Sequence, residues 1–250
     1  MAKIMAVVNL TPDSFHAPSR VASGQVRARV EELLAQGADI IDLGAVSTRP
    51  GAPEVPLDEE WRRLAPVVMY WDAGVPLSVD TTRAEIVRRV YECAGPFLVN
   101  DISAGEDDPR MLETAGRFGL PYVAMHKRGS PRTMDALTDY PEGIVPALAA
   151  YFRDFALRAE DAGIGEWVLD PGLGFAKTAA QNWEILERLG ELQSLGRPVL
   201  IGAADKRFTG GDTERAHRLA LRGGAAILRV HDVAAARRTL ENYLADESIP

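Results

Sequence analysis

The feature that most constrains this chain is an alternation: a short apolar run followed by a stretch of helical spacing, eight times over in 250 residues. The apolar runs are 4–9 (IMAVVN), 39–44 (DIIDLG), 76–80 (PLSVD), 97–101 (FLVND), 122–126 (YVAMH), 167–170 (WVLD), 198–203 (PVLIGA) and 226–232 (AILRVHD). Runs that are apolar throughout, rather than at every second residue, belong to strands covered on both faces, as in parallel sheets with helices outside. One intervening helix is expected from about Ser23 to Gln36, with Val26, Val30, Leu33 and Leu34 on one face and Gly37 beyond its end. Others are expected at Ala84 to Ala94, Gly143 to Ala162 and Val233 to Ala245. Strand and helix in strict alternation imply parallel pairing, and eight units close into a single (β/α)₈ barrel over residues 1–250. An open doubly wound sheet is the competitor, because periodicity does not register closure; the count of eight favours the barrel.

Composition narrows the functional classes. At 46% hydrophobic and 26% charged, the chain buries a sizeable core. The net charge of -8 argues against a nucleic-acid partner, which needs a concentrated basic face. No apolar run approaches the roughly 20 residues of a membrane span, so no membrane partner and a cytoplasmic location are expected. The single cysteine, Cys93, excludes an intrachain disulfide, and its place at the end of a helical pattern predicts a buried core thiol.

A barrel of this kind carries its chemistry at the C-terminal ends of its strands. Asn9, Asp42, Asp80, Asn100, His126, Asp170, Lys206, Arg229 and His231 are therefore expected on one rim. The stretch Trp167 to Lys177, WVLDPGLGFAK, shows the design: a strand delivers Asp170, Gly172 and Gly174 leave room above it, and Phe175 offers an aromatic wall. The longest Pro/Gly-rich connection, AVSTRPGAPEVP, carries Thr48 and Arg49. Singly, each residue has a bland reading. Asp42 or Asp80 serves as a helix cap, as do Thr81 and Thr82 before the helix at Ala84, and His126 as a hydrogen-bonded core histidine. Collectively, strands ending in carboxylates and carboxamides leave buried polar groups unsatisfied unless a polar ligand meets them. Acids and amides around an aromatic floor suit a flat heterocycle rich in N–H donors, and the cations Lys206, Arg229 and Arg49 suit an anion.

These residues sit in motifs with a family resemblance. NLTPDSF at 9–15, IIDLGAVSTRPGA at 40–52, SVDTTRAE at 78–85, VNDISAG at 99–105, MHKRGSPRTM at 125–134, LDPGLGFAKT at 169–178 and ILRVHDV at 227–233 resemble, in order, the dihydropteroate synthase family. The resemblance implies a transferase of folate biosynthesis that joins p-aminobenzoate to 6-hydroxymethyl-7,8-dihydropterin pyrophosphate and releases pyrophosphate. It implies that Asp80, Asn100 and Asp170 hydrogen-bond the pterin with Lys206 near it, Asp170 accepting two N–H bonds from the guanidine-like edge. By the same resemblance Asn9 helps hold Mg²⁺ on the pyrophosphate, with Arg229 and His231 on the phosphates. Asp42 and the loops Thr11 to Ser19 and Val46 to Pro53 resemble the family's covering loops, with Thr48 and Arg49 facing p-aminobenzoate beside Phe175. Asp42, Asp80, Asp170 and Lys206 are the implied catalytic set. A homodimer and sensitivity to sulfonamides are implied as well.

The chain departs from the family after the seventh strand. The family usually reads G-x-S-R-K-S-F, whereas this chain reads Gly202, Ala203, Ala204, Asp205, Lys206, Arg207, Phe208. The family's serine lies near the p-aminobenzoate carboxylate; Arg207 in its place either binds that carboxylate in a bidentate way or fills the pocket. The segment after Phe208 is also short, in the region of the usual dimer interface. An active synthase and a pterin-binding paralogue without that activity, or with altered specificity, both remain open. A pterin-dependent methyltransferase of related fold is a remote third, with no motif for its corrinoid partner.

Overall fold

Each apolar run forms a strand and each helical stretch folds back over it. The computed structural model describes residues 1–10, 19–46, 54–129, 133–204 and 206–247, except the side chains of 19–24 and 247. The order is β1 (Lys3–Asn9), α1 (Ser19–Ala35), β2 (Ile40–Gly44), α2 (Leu57–Val68), β3 (Leu77–Asp80), α3 (Ala84–Ala94), β4 (Leu98–Asp101) and α4 (Met111–Arg117). It continues with β5 (Tyr122–Met125), α5 (Ile144–Asp161), β6 (Trp167–Asp170), α6 (Ala179–Glu187), β7 (Leu200–Ile201), α7 (Thr213–Arg222), β8 (Ile227–Val230) and α8 (Val233–Glu247). All pairings are parallel, in the order β6-β5-β4-β3-β2-β1-β8-β7. A parallel bridge between Leu169 and Val199, with the Leu169 N–H donating to the Pro198 carbonyl at 3.0 Å, brings the two edges together. That closure removes the open-sheet alternative.

Register divides the strand residues into two sets. Met5 pairs with Ile40, Val7 with Asp42, Asp42 with Ser78, Gly44 with Asp80, and Asp80 with Asn100. The same parity holds Val123, Val168 and Ile227. Met5, Ile40, Val123, Leu200 and Ile227 pack together as one small buried cluster, with Leu98 and Val168 against it. This is the floor of the barrel, and the polar residues of the same parity stand above it. The opposite parity, including Ile4, Ala6, Val8, Ile41, Leu43, Val79, Val99 and Leu169, joins the helices in the larger outer core. Asn100 and Asp101, adjacent in sequence, therefore part company. Asp101 faces the helices and accepts from the Ser103 N–H and hydroxyl, both at 2.7 Å, and from the Tyr122 hydroxyl.

Several expectations are corrected. Cys93 is exposed rather than buried. The buried face of α3 is Ala84, Ile86, Val87 and Val90, and in its last turn Tyr91 and Ala94 still pack against the core while Cys93 faces away from it. That helix is not capped by Thr81, Thr82 or Asp80. Its N-cap is Arg83 with no side-chain cap bond, and the Ala84 N–H donates to Asp108 Oδ2 at 3.0 Å. Asp42, expected at the C-terminal end of its strand, lies inside β2, which runs on through Leu43 to Gly44. The loop residues Thr48 and Arg49, like most of residues 11–19, lie outside the described residues.

Candidate active site

Four strands aim charged or amide groups into the space above the floor. Arg229 of β8 reaches across the barrel: its Nε donates to Asp42 Oδ2 at 2.8 Å and an Nη to Asp80 Oδ2 at 2.7 Å. Asp42 also accepts from the Ser78 hydroxyl at 2.6 Å and from Asn100 Nδ2 at 3.2 Å and 3.3 Å. Only an interior network joins β2, β3, β4 and β8 this way. Asp42, fully buried, is thus a hub beneath the rim rather than a rim or loop residue. The expectation that buried carboxylates here await a ligand is corrected for Asp42, whose oxygens are met by protein donors.

Asp80 stands one step higher, in register with Gly44, which is in turn in register with Asn9. Burial pushes its carboxyl up to about 7; Arg229 pulls the other way, and Asp42 and Asp101 add to the rise. Burial also works against the Arg229 charge, but Asp42 and Asp80 outweigh it and hold the guanidinium above its ordinary range. A methyl group built on Gly44 would sit 3.6 Å from Asn9 Oδ1 and 3.9 Å from Asp80 Oδ2, so the glycine leaves space between the two polar groups.

On the opposite side, β6 delivers Asp170 as expected, and its Oδ1 accepts from the Gly172 N–H at 2.7 Å. Burial raises the Asp170 carboxyl, while the Gly172 N–H, Lys206, Arg229 and Lys177 lower it. Lys206 follows β7, with Nζ 4.7 Å from the centre of the Phe175 ring. Burial lowers its ammonium, against the pull of Asp170. Phe175 and Lys206 thus form one wall. Asn9 and His231, both half-buried, end the strand of β1 and follow β8 at the same mouth. Arg207 is exposed, on the 3-10 turn Arg207–Thr209 that starts just after Lys206.

His126 takes its bland reading: it is buried, edge-on to Tyr151, with Nδ1 3.0 Å from Lys177 Nζ. Burial pushes its imidazole down to about 2, helped by Lys177 and Arg128. Two residues of this region escape a sequence reading. Ser78 is detectable by parity, two residues before Asp80. Lys177 carries no such signal, because a lysine between an aromatic loop and a helix start reads as solvated; burial lowers its ammonium to about 7. Among the described residues no group of three or more His, Cys, Asp and Glu side chains is placed to hold a metal ion.

The arrangement pairs a wall of carboxylates and amides with a wall of one aromatic ring and one cation, beneath a mouth bearing Asn9 and His231. Carboxylates accept hydrogen bonds from ring N–H groups, an aromatic face stacks on a flat ring, and cations balance an anionic substituent. The pterin binding enzyme family matches residues 5–231. Dihydropteroate synthase of Synechocystis sp. is 39% identical over 93% of this chain and 86% of its own length. The folic acid synthesis protein fol1 of Pneumocystis carinii is 42% identical over 92% of this chain, which spans only 34% of that protein. Among solved structures, Yersinia pestis dihydropteroate synthase in a sulfonamide drug complex superposes with a TM-score of 0.90 at 34% identity, covering 99% of this chain and 94% of that one. The Thermus thermophilus enzyme in complex with 4-aminobenzoate gives 0.84 at 39% identity, over 98% and 94%.

Proposed function

The chain belongs to the pterin binding enzyme family, and on that premise we propose that it carries out the dihydropteroate synthase reaction of folate biosynthesis. The observation that carries the reading is the Arg229–Asp42–Asp80–Asn100 network facing Asp170, Phe175 and Lys206 across one barrel mouth. Asp80, Asn100 and Asp170 take the pterin's N–H donors, Phe175 stacks on its ring or on the incoming arene, and Lys206 lies along the same wall. The anion of the substrate lies toward Asn9, Arg229 and His231.

The reaction is a substitution at the pterin methylene carbon. The bond from that carbon to the diphosphate oxygen breaks and its electron pair leaves with the diphosphate. The carbon left electron-poor is conjugated with the pterin ring, which spreads the charge. The amine nitrogen of p-aminobenzoate then forms the new bond and gives up a proton. Arg229 and His231 stabilise the departing anion, and the carboxylates hold the ring in place. No protein nucleophile takes part. The role of Asp42 is positioning: it holds Arg229 and Asn100 in their working directions. Arg207, exposed beside Lys206, takes the p-aminobenzoate carboxylate, with Thr48 and Arg49 as the loop contribution to the same substrate.

Mg²⁺ is part of the proposal. With Asp42 and Asp80 engaged by Arg229, Asn9 is the residue that would hold the ion, through its amide oxygen, and diphosphate oxygens and water would supply the other oxygen ligands that Mg²⁺ prefers. When bound there, it would supply positive charge against the leaving diphosphate. We also propose a cytoplasmic homodimer made through α7 and α8, where a cleft of about 530 Å³ is lined by Arg215, Arg218, Arg222, Tyr243 and Asp246. Sedimentation equilibrium at micromolar concentration should give twice the chain mass; a single-chain mass would overturn it. Among the described residues no helix is long and apolar enough to cross a membrane.

The direct test is product identification. Incubation with dihydropterin pyrophosphate, p-aminobenzoate and Mg²⁺ should yield dihydropteroate by mass spectrometry, and sulfonamides should compete with p-aminobenzoate. Tight pterin binding without product would instead support the paralogue.

A further inference from the structure

Lys177 lies behind the loop that carries Phe175, between β6 and α6, and is only 9% exposed. Its Nζ is 2.9 Å from the Phe175 carbonyl, 3.1 Å from the Gly172 carbonyl, 3.0 Å from His126 Nδ1 and 3.4 Å from the His126 carbonyl. Three ammonium hydrogens thus meet four acceptors, all of them protein groups. With His126 neutral, Nδ1 accepts from Lys177 and the ring proton sits on Nε2.

A lysine normally lays its stem on apolar surface and keeps its ammonium in water. Burying the charge is costly, and an apolar side chain of similar length fills the same volume more cheaply. The fold alone has little use for the charge here, so its value lies in what it holds. Gly172, one acceptor, passes its own N–H to Asp170 Oδ1, and its carbonyl also receives the Phe175 N–H at 3.0 Å. The loop is strained: Ala176 has φ 50°, a left-handed conformation unfavourable for a residue with a Cβ. Tyr140 donates to the Ala176 carbonyl at 3.0 Å, and the Gly174 N–H donates to Asn182 Oδ1 at 2.8 Å. Such a loop keeps its shape only while its carbonyls are tied.

We propose that Lys177 is a positioning residue for the pterin site: its ammonium clamps the Gly172 and Phe175 carbonyls against the end of β5 and so presets Asp170 and the Phe175 ring before the ligand arrives. The inference rests on the proposed pterin-binding function and deepens it. Presetting raises affinity by removing the ordering cost from the binding step.

The test uses the full chain, with dihydropterin pyrophosphate and Mg²⁺ as the calorimetric probe, and compares wild type with Lys177→Met. The variant should weaken binding at least about tenfold and speed amide exchange of Gly172, Gly174 and Phe175 by a similar factor, leaving the amides of β1 and β2 unchanged. Affinity within about twofold of wild type overturns the proposal, as does faster exchange spread evenly over the barrel, which marks a merely structural role. Should the variant not fold, ligand-free wild type decides. Slow exchange of the three loop amides, little changed by the pterin, supports presetting, and open-loop exchange that slows only on addition of the pterin overturns it. If wild type binds no pterin, the functional reading fails, while the exchange comparison still decides the clamp.

Discussion

Gly44 shows how much one residue carries. It lies in register between Asn9 and Asp80, and a Cβ there would meet no protein atom nearer than 3.6 Å. Gly44→Ala should therefore fold with stability changed by less than about 1 kcal/mol, yet place a methyl in the space for substrate and lower pterin affinity at least about tenfold. Thermal unfolding and calorimetry on the same preparation check both halves; unchanged affinity would place the pterin elsewhere. Arg207 makes the complementary case at the second substrate. If it binds the carboxylate, Arg207→Ala should raise KM for p-aminobenzoate at least about tenfold with little change in KM for the pterin substrate. Equal effects on both would remove that role.

At the scale of elements, the segment from β6 to α6 behaves as one piece. Gly172 has φ 67°, and a Cβ on it would lie 2.1 Å from the His126 carbonyl oxygen of the neighbouring strand's end. Gly172→Ala should cost at least about 3 kcal/mol of stability, combining left-handed strain with displacement of backbone. Urea unfolding measures it, and a loss below 1 kcal/mol would show that this approach of loop to β5 is loose. Much of this was legible in the sequence. Apolar runs ending in Asp80, Asn100 and Asp170 announce their strand ends, and WVLDPGLGFAK announces a turn around glycines. Asp42 was placed too high because Leu43 and Gly44 extend β2 without a polarity break. Arg229 was readable as a cation near an anion, but not as the partner of Asp42 and Asp80, which lie 187 and 149 residues away in the chain. Lys177 and Cys93 fail for a shared reason. Their burial depends on how the loop folds back and on which side of its last turn the helix turns toward the core, and no local period encodes either.

The whole molecule should register acid through its buried neutral imidazoles. Burial holds His126 near 2 and His217 near 4, against an ordinary 6.5. A base whose pKa is depressed by folding binds its proton better when unfolded, so the contribution of these two histidines to stability is present in full above pH 6.5 and is lost as pH drops toward those values. Each histidine contributes a slope of about 1.4 kcal/mol per pH unit within that window. His126→Gln should remove about one proton's worth of slope in urea unfolding between pH 6.5 and 5; an unchanged slope would mean that His126 already titrates normally. The barrel mouth as one catalytic unit is tested most directly by pyrophosphate release from dihydropterin pyrophosphate in the presence of Mg²⁺, measured with and without p-aminobenzoate. Release that depends on the amine, mole for mole with dihydropteroate, is the predicted result. Pterin binding with no amine-dependent release would contradict it.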